Sequence, residues 1–316
     1  MGGTMPARIT TEGVRMRRRL TLGALGVVTA LTLTGCGSNP AGVDGNLTDD
    51  WAAIGEPTVF VPQPGTCHPT VTRVEGTVHS YHVVDCAQLH SAETTHVGTF
   101  VGEDAERVTP PPSGSPSRHT AWRECDSRTT ERLGGEWRAA RLNLSLVLPS
   151  PQAWTGGARW FRCEVSETYK LDTDLIPVPR TGSLKGILGK KSDLQHGCFN
   201  PKLAGDIIQE MVKVPCTTPH HSEFVGIYTA PDTSFEMLNQ NSELLHAGCR
   251  SVVASYVQVP DDRRLIYRTG TITYPPTRIS WDSGNRGVRC FLWLEKRTVT
   301  RTLKGTGSNG LPVTTG

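Results

Sequence analysis

The chain lacks long hydrophobic runs: its 316 residues contain one extended apolar stretch, near the start. A polytopic membrane protein is excluded, because each span needs about 20 such residues. No Cys-x-x-Cys pair occurs, which removes zinc ribbons and thioredoxin-type redox centres. Gly-x-Ser-x-Gly elbows, Ser-x-x-Lys sets and Walker loops are missing as well, and with them the best-known serine-hydrolase and nucleotide-binding signatures. An excess of positive charge is missing too, once the start of the chain is set aside. The formal charge is +3, but Arg8, Arg15, Arg17, Arg18 and Arg19 stand against Glu12 alone in residues 1–35, and the remainder carries 28 basic against 29 acidic residues. That balance gives no electrostatic footprint for nucleic acid. What is present is 36% hydrophobic residues, enough to build one large or two ordinary folded cores. Arg outnumbers Lys 25 to 8, the bias of a high-GC genome.

Met16-Arg-Arg-Arg19 opens a positive segment, Leu20 to Thr34 supplies an apolar core of small residues, and Leu33-Thr34-Gly35-Cys36 closes it. This is signal-peptide architecture. Of the three early methionines, Met1, Met5 and Met16, the last stands directly before the basic run. The closing tetrapeptide resembles the lipobox of bacterial lipoproteins, in which the cysteine, here Cys36, is acylated and becomes the mature N-terminus. Acyl chains of the palmitate class, at about 0.8 kcal/mol per buried methylene, hold a soluble domain at a bilayer when two or more act together. The expected location is the extracytoplasmic face of the cell membrane. Eight cysteines then remain outside the cytoplasm, where disulfides persist.

Those eight fall into two sets, Cys67, Cys86, Cys125, Cys163 and Cys198, Cys216, Cys249, Cys290, with gaps of 19, 39 and 38 and of 18, 33 and 41. Val84-x-Cys86-x3-His90-x2-Glu93 returns as Val214-x-Cys216-x3-His220-x2-Glu223. Pro149-x4-Trp154-x2-Gly157-x-Arg159-x2-Arg162-Cys163 returns as Pro276-x4-Trp281-x2-Gly284-x-Arg286-x2-Arg289-Cys290. Two copies of one module are the reading. The expected plan is a signal peptide over 1–35, a tether over 36–60, module one over 61–166, a linker over 167–192, module two over 193–296 and a disordered tail over 297–316.

Alternation predicts strands at Val71–Cys86, Lys213–Cys216, Glu93–Val101, Glu223–Tyr228, Arg141–Leu148 and Leu265–Tyr274, with last strands ending at Glu164 and Leu294. Three- and four-residue spacing predicts helices at Ser117–Arg132 and Ser234–Tyr256. The expected fold class is α+β: two tandem repeats, each a small antiparallel sheet with one packed helix and two disulfides. Four cysteines allow three pairings per module. Hairpin ties Cys67–Cys86 and Cys198–Cys216, with helix-to-strand pins Cys125–Cys163 and Cys249–Cys290, are the favoured set. The alternatives stay open on sequence alone.

With these residues laid out, each module resembles the septum-formation domain of actinobacterial envelope proteins. That domain has a Gly-x-Cys opening, a Val-x-Cys, a Pro-His-x-x-Glu stretch, a helix Cys and a Trp-x2-Gly-x-Arg ending in Cys. Module two matches best, through Val214-Pro-Cys216, Pro219-His220, Glu223, Trp281, Gly284, Arg286 and Cys290; module one has Leu89 before His90. The resemblance implies a link to septation and no known reaction.

The chemistry to weigh is the His-x2-Glu pair. His90, Glu93 and His96 spell a zinc-like set with Glu93 as base. The segment nevertheless reads as a turn into a strand, and Gly226 stands where a second His96 would be. The structural reading is preferred: Arg159–Glu93 and Arg286–Glu223 as buried ion pairs with His90 and His220 beside them, since a paired guanidinium escapes the cost of a lone buried charge. Trp154 and Trp281 are read as core plugs. The run Lys296, Arg297, Arg301, Lys304 is read as a solvated tail. The expectation is a non-catalytic protein with no cofactor and no metal, binding the membrane through its lipid and an envelope or divisome protein through its modules. The alternatives are a ligand- or polymer-binding lipoprotein using the inter-module cleft and a metal-assisted hydrolase at His90 and Glu93.

Overall fold

The computed structural model describes residues 58–72, 81–169, 171 and 176–314. The signal segment, Cys36 and most of the tether lie outside these. The sequence resolves into β1 (Cys67–His68), β2 (Ala92–Thr99), α1 (Glu103–Glu106), α2 (Pro116–Leu133), β3 (Leu142–Val147), α3 (Pro151–Thr155), β4 (Trp160–Glu167), β5 (Cys198–Ala204), β6 (Ile207–Val214), β7 (Ser222–Thr229), α4 (Phe235–Gln240), α5 (Ser242–Val257), β8 (Gly270–Tyr274), α6 (Arg278–Ser283), β9 (Gly287–Trp293) and α7 (Gly307–Gly310). The architecture is α+β, with two antiparallel sheets ordered β1-β2-β4-β3 and β6-β5-β7-β9-β8. Among the described residues no helix is long and apolar enough to cross a membrane.

The two sheets follow one plan. Glu93 on β2 faces Val165 on β4, and Glu223 on β7 faces Leu292 on β9. Each long pairing then carries a bulge, between Thr94 and His96 and between Phe224 and Gly226, which sets His96 opposite Cys163 and Gly226 opposite Cys290. The disulfides join Cys67 to Cys86, Cys125 to Cys163, Cys198 to Cys216 and Cys249 to Cys290. The second and fourth of these pin the long helix of each half to its central strand.

Local chemistry explains the helix limits. Ser115 caps α2 by accepting the Arg118 N–H, Pro116 occupies its first turn, and Gly134 closes it at φ 77°. The single helix expected over Ser234–Tyr256 is broken at Asn241, whose side chain accepts the Leu244 N–H and so starts α5 afresh. The strand expected from Leu265 begins only at Gly270, because Asp262 accepts the Arg264 N–H and winds Arg263–Tyr267 into a 3-10 turn. The strand expected over Val71–Cys86 is described only at its ends, where Cys67 bridges Val84; residues 73–80 lie outside the described set.

Two cores result. In the first, Trp122, Cys125 and Leu133 of α2 meet Leu142, Leu144 and Leu146 of β3 and Phe161, Cys163 and Val165 of β4. In the second, Leu245, Cys249, Val253 and Val257 of α5 meet Val288, Cys290 and Leu292 of β9. Two expectations about chain ends are corrected here. Leu184, Leu188 and Leu194, from the supposed linker and just beyond it, are buried in the first core. Leu303 and Leu311, from the supposed disordered tail, are buried in the second, with α7 formed between them. Apolar residues spaced among the glycines give both segments a core face, which the breaker-rich composition obscured. At the tether's end Phe60 is also engaged, its carbonyl accepting the Trp160 indole N–H at 2.9 Å.

The halves dock through the 3-10 turn Trp137–Ala139. Arg289 of β9, half-buried, donates to the carbonyls of Arg138 and Leu142, each at 3.0 Å. Arg138 donates to Asn285 at 3.0 Å, and the guanidinium of Arg138 stacks on Trp137 at 4.3 Å. Burial, then the neighbouring charge of Arg138, lower the Arg289 pKa to about 10. Beside it His196 lies among Phe199, Phe224 and Phe291, and burial holds it well below the usual imidazole range.

Close packing of α5 on the sheet requires a bare Cα at Gly248. A Cβ on Gly248 of α5 would lie 2.3 Å from the Tyr228 ring on β7. Gly248→Val is expected to lower the unfolding free energy by about 1–3 kcal/mol, the usual cost of overpacking. Urea titration measures it, and an unchanged midpoint would show that the contact yields without cost.

Candidate functional site

Two buried carboxyl groups organise the polar interior. Glu93 and Glu223 are both 0% exposed. A lone carboxylate there costs several kcal/mol, so each must be matched by donors. Glu93 accepts from Arg132 Nε at 3.0 Å and Nη2 at 2.6 Å, from the Ser183 hydroxyl at 2.9 Å and from the Leu184 N–H at 2.7 Å. Glu223 accepts from the Tyr256 and Thr302 hydroxyls, each at 2.9 Å, and from the Leu303 N–H at 2.9 Å, with His220 Nε2 at 3.1 Å. Burial, and the Glu223 charge after it, push the Tyr256 phenol above its ordinary range.

The two arrangements correspond position by position, except that His220 Nε2 reaches Glu223 whereas His90 Nε2 is buried without a partner among the described residues. Arg132 and Tyr256 both stand seven positions after the helix cysteine. Gly186 donates its N–H to the Arg132 carbonyl and Gly305 to that of Tyr256, each at 2.9 Å. His90 exchanges backbone hydrogen bonds with Arg180, and His220 does so with Val299. His90 and His220 each place Nδ1 at 2.8 Å from the carbonyl two residues earlier. Each half is thus closed by a segment that returns to its histidine and lays a hydroxyl residue and a leucine N–H on its glutamate.

The expected pairs Arg159–Glu93 and Arg286–Glu223 do not form. Arg159 precedes β4 while Glu93 faces Val165, six residues further on, or about 20 Å along a strand. Arg159 instead stacks on Trp154 at 4.4 Å and donates to the Trp154 carbonyl at 2.6 Å. Arg286 stacks on Trp281 at 4.0 Å, donates to its carbonyl at 2.6 Å and pairs with Asp232 at 2.6 Å, which lowers the Asp232 pKa. Both tryptophans are buried plugs, tied by their indole N–H to Arg107 and Thr233. Here the repeated cation serves the repeated aromatic.

The zinc-like trio also separates. His96 pairs with Glu124 on α2 at 2.7 Å, while Glu93 is saturated by its clasp. Among the described residues, the three candidate ligand atoms within 4.8 Å of one another belong to Cys198, His220 and Glu223. Cys198 is bonded to Cys216 and offers no thiolate, so the set does not fit a metal. Arg132, Tyr256, Ser183-Leu184 and Thr302-Leu303 were missed by motif reading. The signal was present in the repeated tetrapeptides Ser183-Leu-Lys-Gly186 and Thr302-Leu-Lys-Gly305, which fall outside the cysteine frame.

A second polar cluster lies on the other face of the first sheet. Arg162 and Glu164, both buried, meet at 2.5 Å, and burial raises the Glu164 pKa. His68 Nδ1 lies 3.0 Å from the His82 carbonyl and Nε2 lies 2.9 Å from the Thr94 hydroxyl, an arrangement that suits the neutral ring. Burial, then the Arg162 charge, lower its pKa to about 4.

Next to this face is an open groove of about 820 Å³ between β3 and α6. Asn143, Ser145 and Ser166 line one wall, Arg278, Ile279 and Ser280 the other, and Trp122 contributes from α2. It lies between the halves, lined by apolar residues such as Val71, Ile176 and Ile279 as well as by hydroxyls, with Arg278 as its charged residue.

The family model described as septum formation matches residues 64–290, across both sheets. No curated protein and no solved structure gives a significant match.

Glu93→Leu and Glu223→Leu are each expected to cost about 3 kcal/mol, because every donor of the clasp is then stranded; denaturant unfolding reads the loss, and a cost under 1 kcal/mol would contradict the clasp. A second expectation concerns pH. His68 binds its proton at about 4 when folded and near 6.5 when unfolded, so its contribution is complete above about 6.5 and is lost as pH falls towards 4. Glu164, with its raised pKa, acts in the opposite sense over its own window. His68→Gln should therefore flatten the decline of stability between pH 6.5 and 4, and an identical slope in the variant would count against it.

Proposed function

This chain belongs to the septum-formation family, and on that premise we propose that it is a lipid-anchored, non-catalytic scaffold of the cell envelope, built by duplication of one disulfide-braced unit. The family's description connects the chain with septum formation. Division or wall assembly is the setting this reading takes, and an envelope or divisome protein is the partner class. Anchoring is supported by the basic segment, apolar core and Leu33-Thr34-Gly35-Cys36 ending of residues 16–36.

The observation that carries the non-catalytic reading is the fate of the repeated polar residues. Glu93, Glu223, His90 and His220 are buried. Both glutamates and the Nδ1 atom of each histidine bond to the chain itself, and both tryptophan–arginine pairs are internal as well. This supports a structural role for the residues repeated in both halves, and the groove between the halves is an open surface available to a partner. That groove also favours the second reading, a lipoprotein that binds a polymer or small ligand there.

Cys36→Ser is expected to move the protein from the membrane to the soluble fraction and to abolish labelling by an alkyne fatty acid. Retention of both in the variant would refute the anchor. Affinity capture from envelope membranes, followed through division with a fluorescent fusion, separates a division partner from a ligand.

A further inference from the structure

We propose that the edge of β3 is a strand-addition site, and that the partner engaged in the groove is an extended polypeptide segment that pairs with the main chain of Leu144 and Leu146. This rests on the scaffold reading above and names the chemistry of its partner.

The register decides which backbone groups face the groove. Thr168 donates its N–H to the Arg141 carbonyl, so Arg141 and Thr168 form a hydrogen-bonded antiparallel pair. Bonded pairs alternate along such a ladder. The pairs Asn143–Ser166, Ser145–Glu164 and Val147–Arg162 then bond across to β4, while Leu142, Leu144 and Leu146 direct N–H and C=O away from it. Leu142 confirms the direction: its N–H donates to the Ala140 carbonyl, and its own carbonyl accepts from Arg289 of the second half. The next two outward positions, Leu144 and Leu146, have no backbone partner among the described residues.

Leu144 and Leu146 are 2% and 4% exposed over side chain and main chain together, and both line the groove. Their outward N–H and C=O groups therefore lie at its floor, reached only by a segment that enters it. The groove continues the edge from the point where the second half stops using it, so the site is an extension of an existing interface. Trp122 supplies a second, independent sign: it lines the same groove, and its indole N–H is buried without a partner. An unpaired buried donor costs about 1–3 kcal/mol and calls for an acceptor.

The chemistry selects the occupant. Two outward residues on one edge offer two N–H and two C=O groups at the two-residue period of a strand, about 6.8 Å. An extended peptide matches that alternation with its own backbone, the mode by which exposed sheet edges are augmented. Its side chains would point alternately to the Asn143 and Ser145 wall and to the Trp122 and Ile279 wall. Those walls are neutral apart from Arg278, which is paired with Glu236, so recognition falls on an uncharged segment rather than an acidic or basic one. The volume of about 820 Å³ suits a segment of a few residues.

The test uses the purified full chain in detergent, disulfides intact, with a random twelve-residue peptide library displayed on phage as the probe. Enriched peptides are synthesised and added while amide hydrogen exchange is followed residue by residue. In the free protein Leu144 and Leu146 should exchange at least tenfold faster than Asn143 and Ser145. An enriched peptide should slow Leu144 and Leu146 at least tenfold, and its variant with alternate N-methylated residues should not. Ile279→Trp, at an exposed position on the groove wall, should abolish that protection, whereas Ile207→Trp on the β5–β6 hairpin should leave it intact. Slow exchange at Leu144 and Leu146 in the free protein would overturn the proposal. So would a failure to enrich peptides, protection elsewhere on the chain, or equal protection by an N-acetylglucosamine hexamer. The readout does not depend on acylation of Cys36, so failure here leaves the anchoring reading standing, and loss of the anchor leaves this one standing.

Discussion

A carboxyl group cannot be taken out of water without donors waiting for it, and this fold is arranged around meeting that demand twice. Glu93 and Glu223 sit at 0% exposure on β2 and β7, which pair with the central strands β4 and β9. The strand itself offers them nothing, because its backbone is committed to the ladder. Donors are brought from three directions: the far end of the long helix, the returning segment, and in the second half His220. Each glutamate therefore ties strand, helix and returning segment together, over sequence separations of 91 and 80 residues to the leucine N–H. Hydrogen bonds to a charged acceptor contribute about 1.5–3 kcal/mol each. The disulfide holds the helix against the neighbouring strand, β4 or β9, and the clasp ties that helix to the glutamate's own strand and to the returning segment.

The division of labour among the repeated residues follows from position along the strand. The glutamate lies at one end of β2 or β7, where the returning segment passes. The arginine lies about 20 Å away, before β4 or β9, where α3 or α6 presents its tryptophan. There a guanidinium can stack on the ring and satisfy the last carbonyls of a one-turn helix at once. The two ends of each sheet are thus sealed by different chemistry, an acid clasp at one and a cation–aromatic plug at the other.

Most of the architecture could be read from the sequence, because it was written in residues that announce themselves. Cysteine spacing pointed to two halves of one plan while leaving three pairings open in each, alternation located the central strands, and Trp154 and Trp281 were recognisable as plugs. The clasp was less legible. Arg132 and Tyr256 occupy the same helix position but share no chemistry, and Ser183 and Thr302 sit in glycine-rich stretches whose composition resembles a linker and a tail. The buried leucine beside each hydroxyl was the physical signal, and a leucine between glycines carries little weight without a partner. The Arg–Glu pairs were misassigned because shared burial does not imply proximity on a strand of eight residues. The groove was legible only as a gap between the halves, since an unpaired strand edge is a property of register.

Closure of each half by its returning segment is the central claim, and amide exchange at Leu184 and Leu303 tests it most directly. Their N–H groups donate to Glu93 and Glu223 in segments with little regular structure. The account predicts protection as strong as that of Cys163 and Cys290 in the central strands, lost only on global unfolding. Exchange at the rate of exposed loops would show that the segments lie loosely on the surface and that the buried carboxyls are matched by other means.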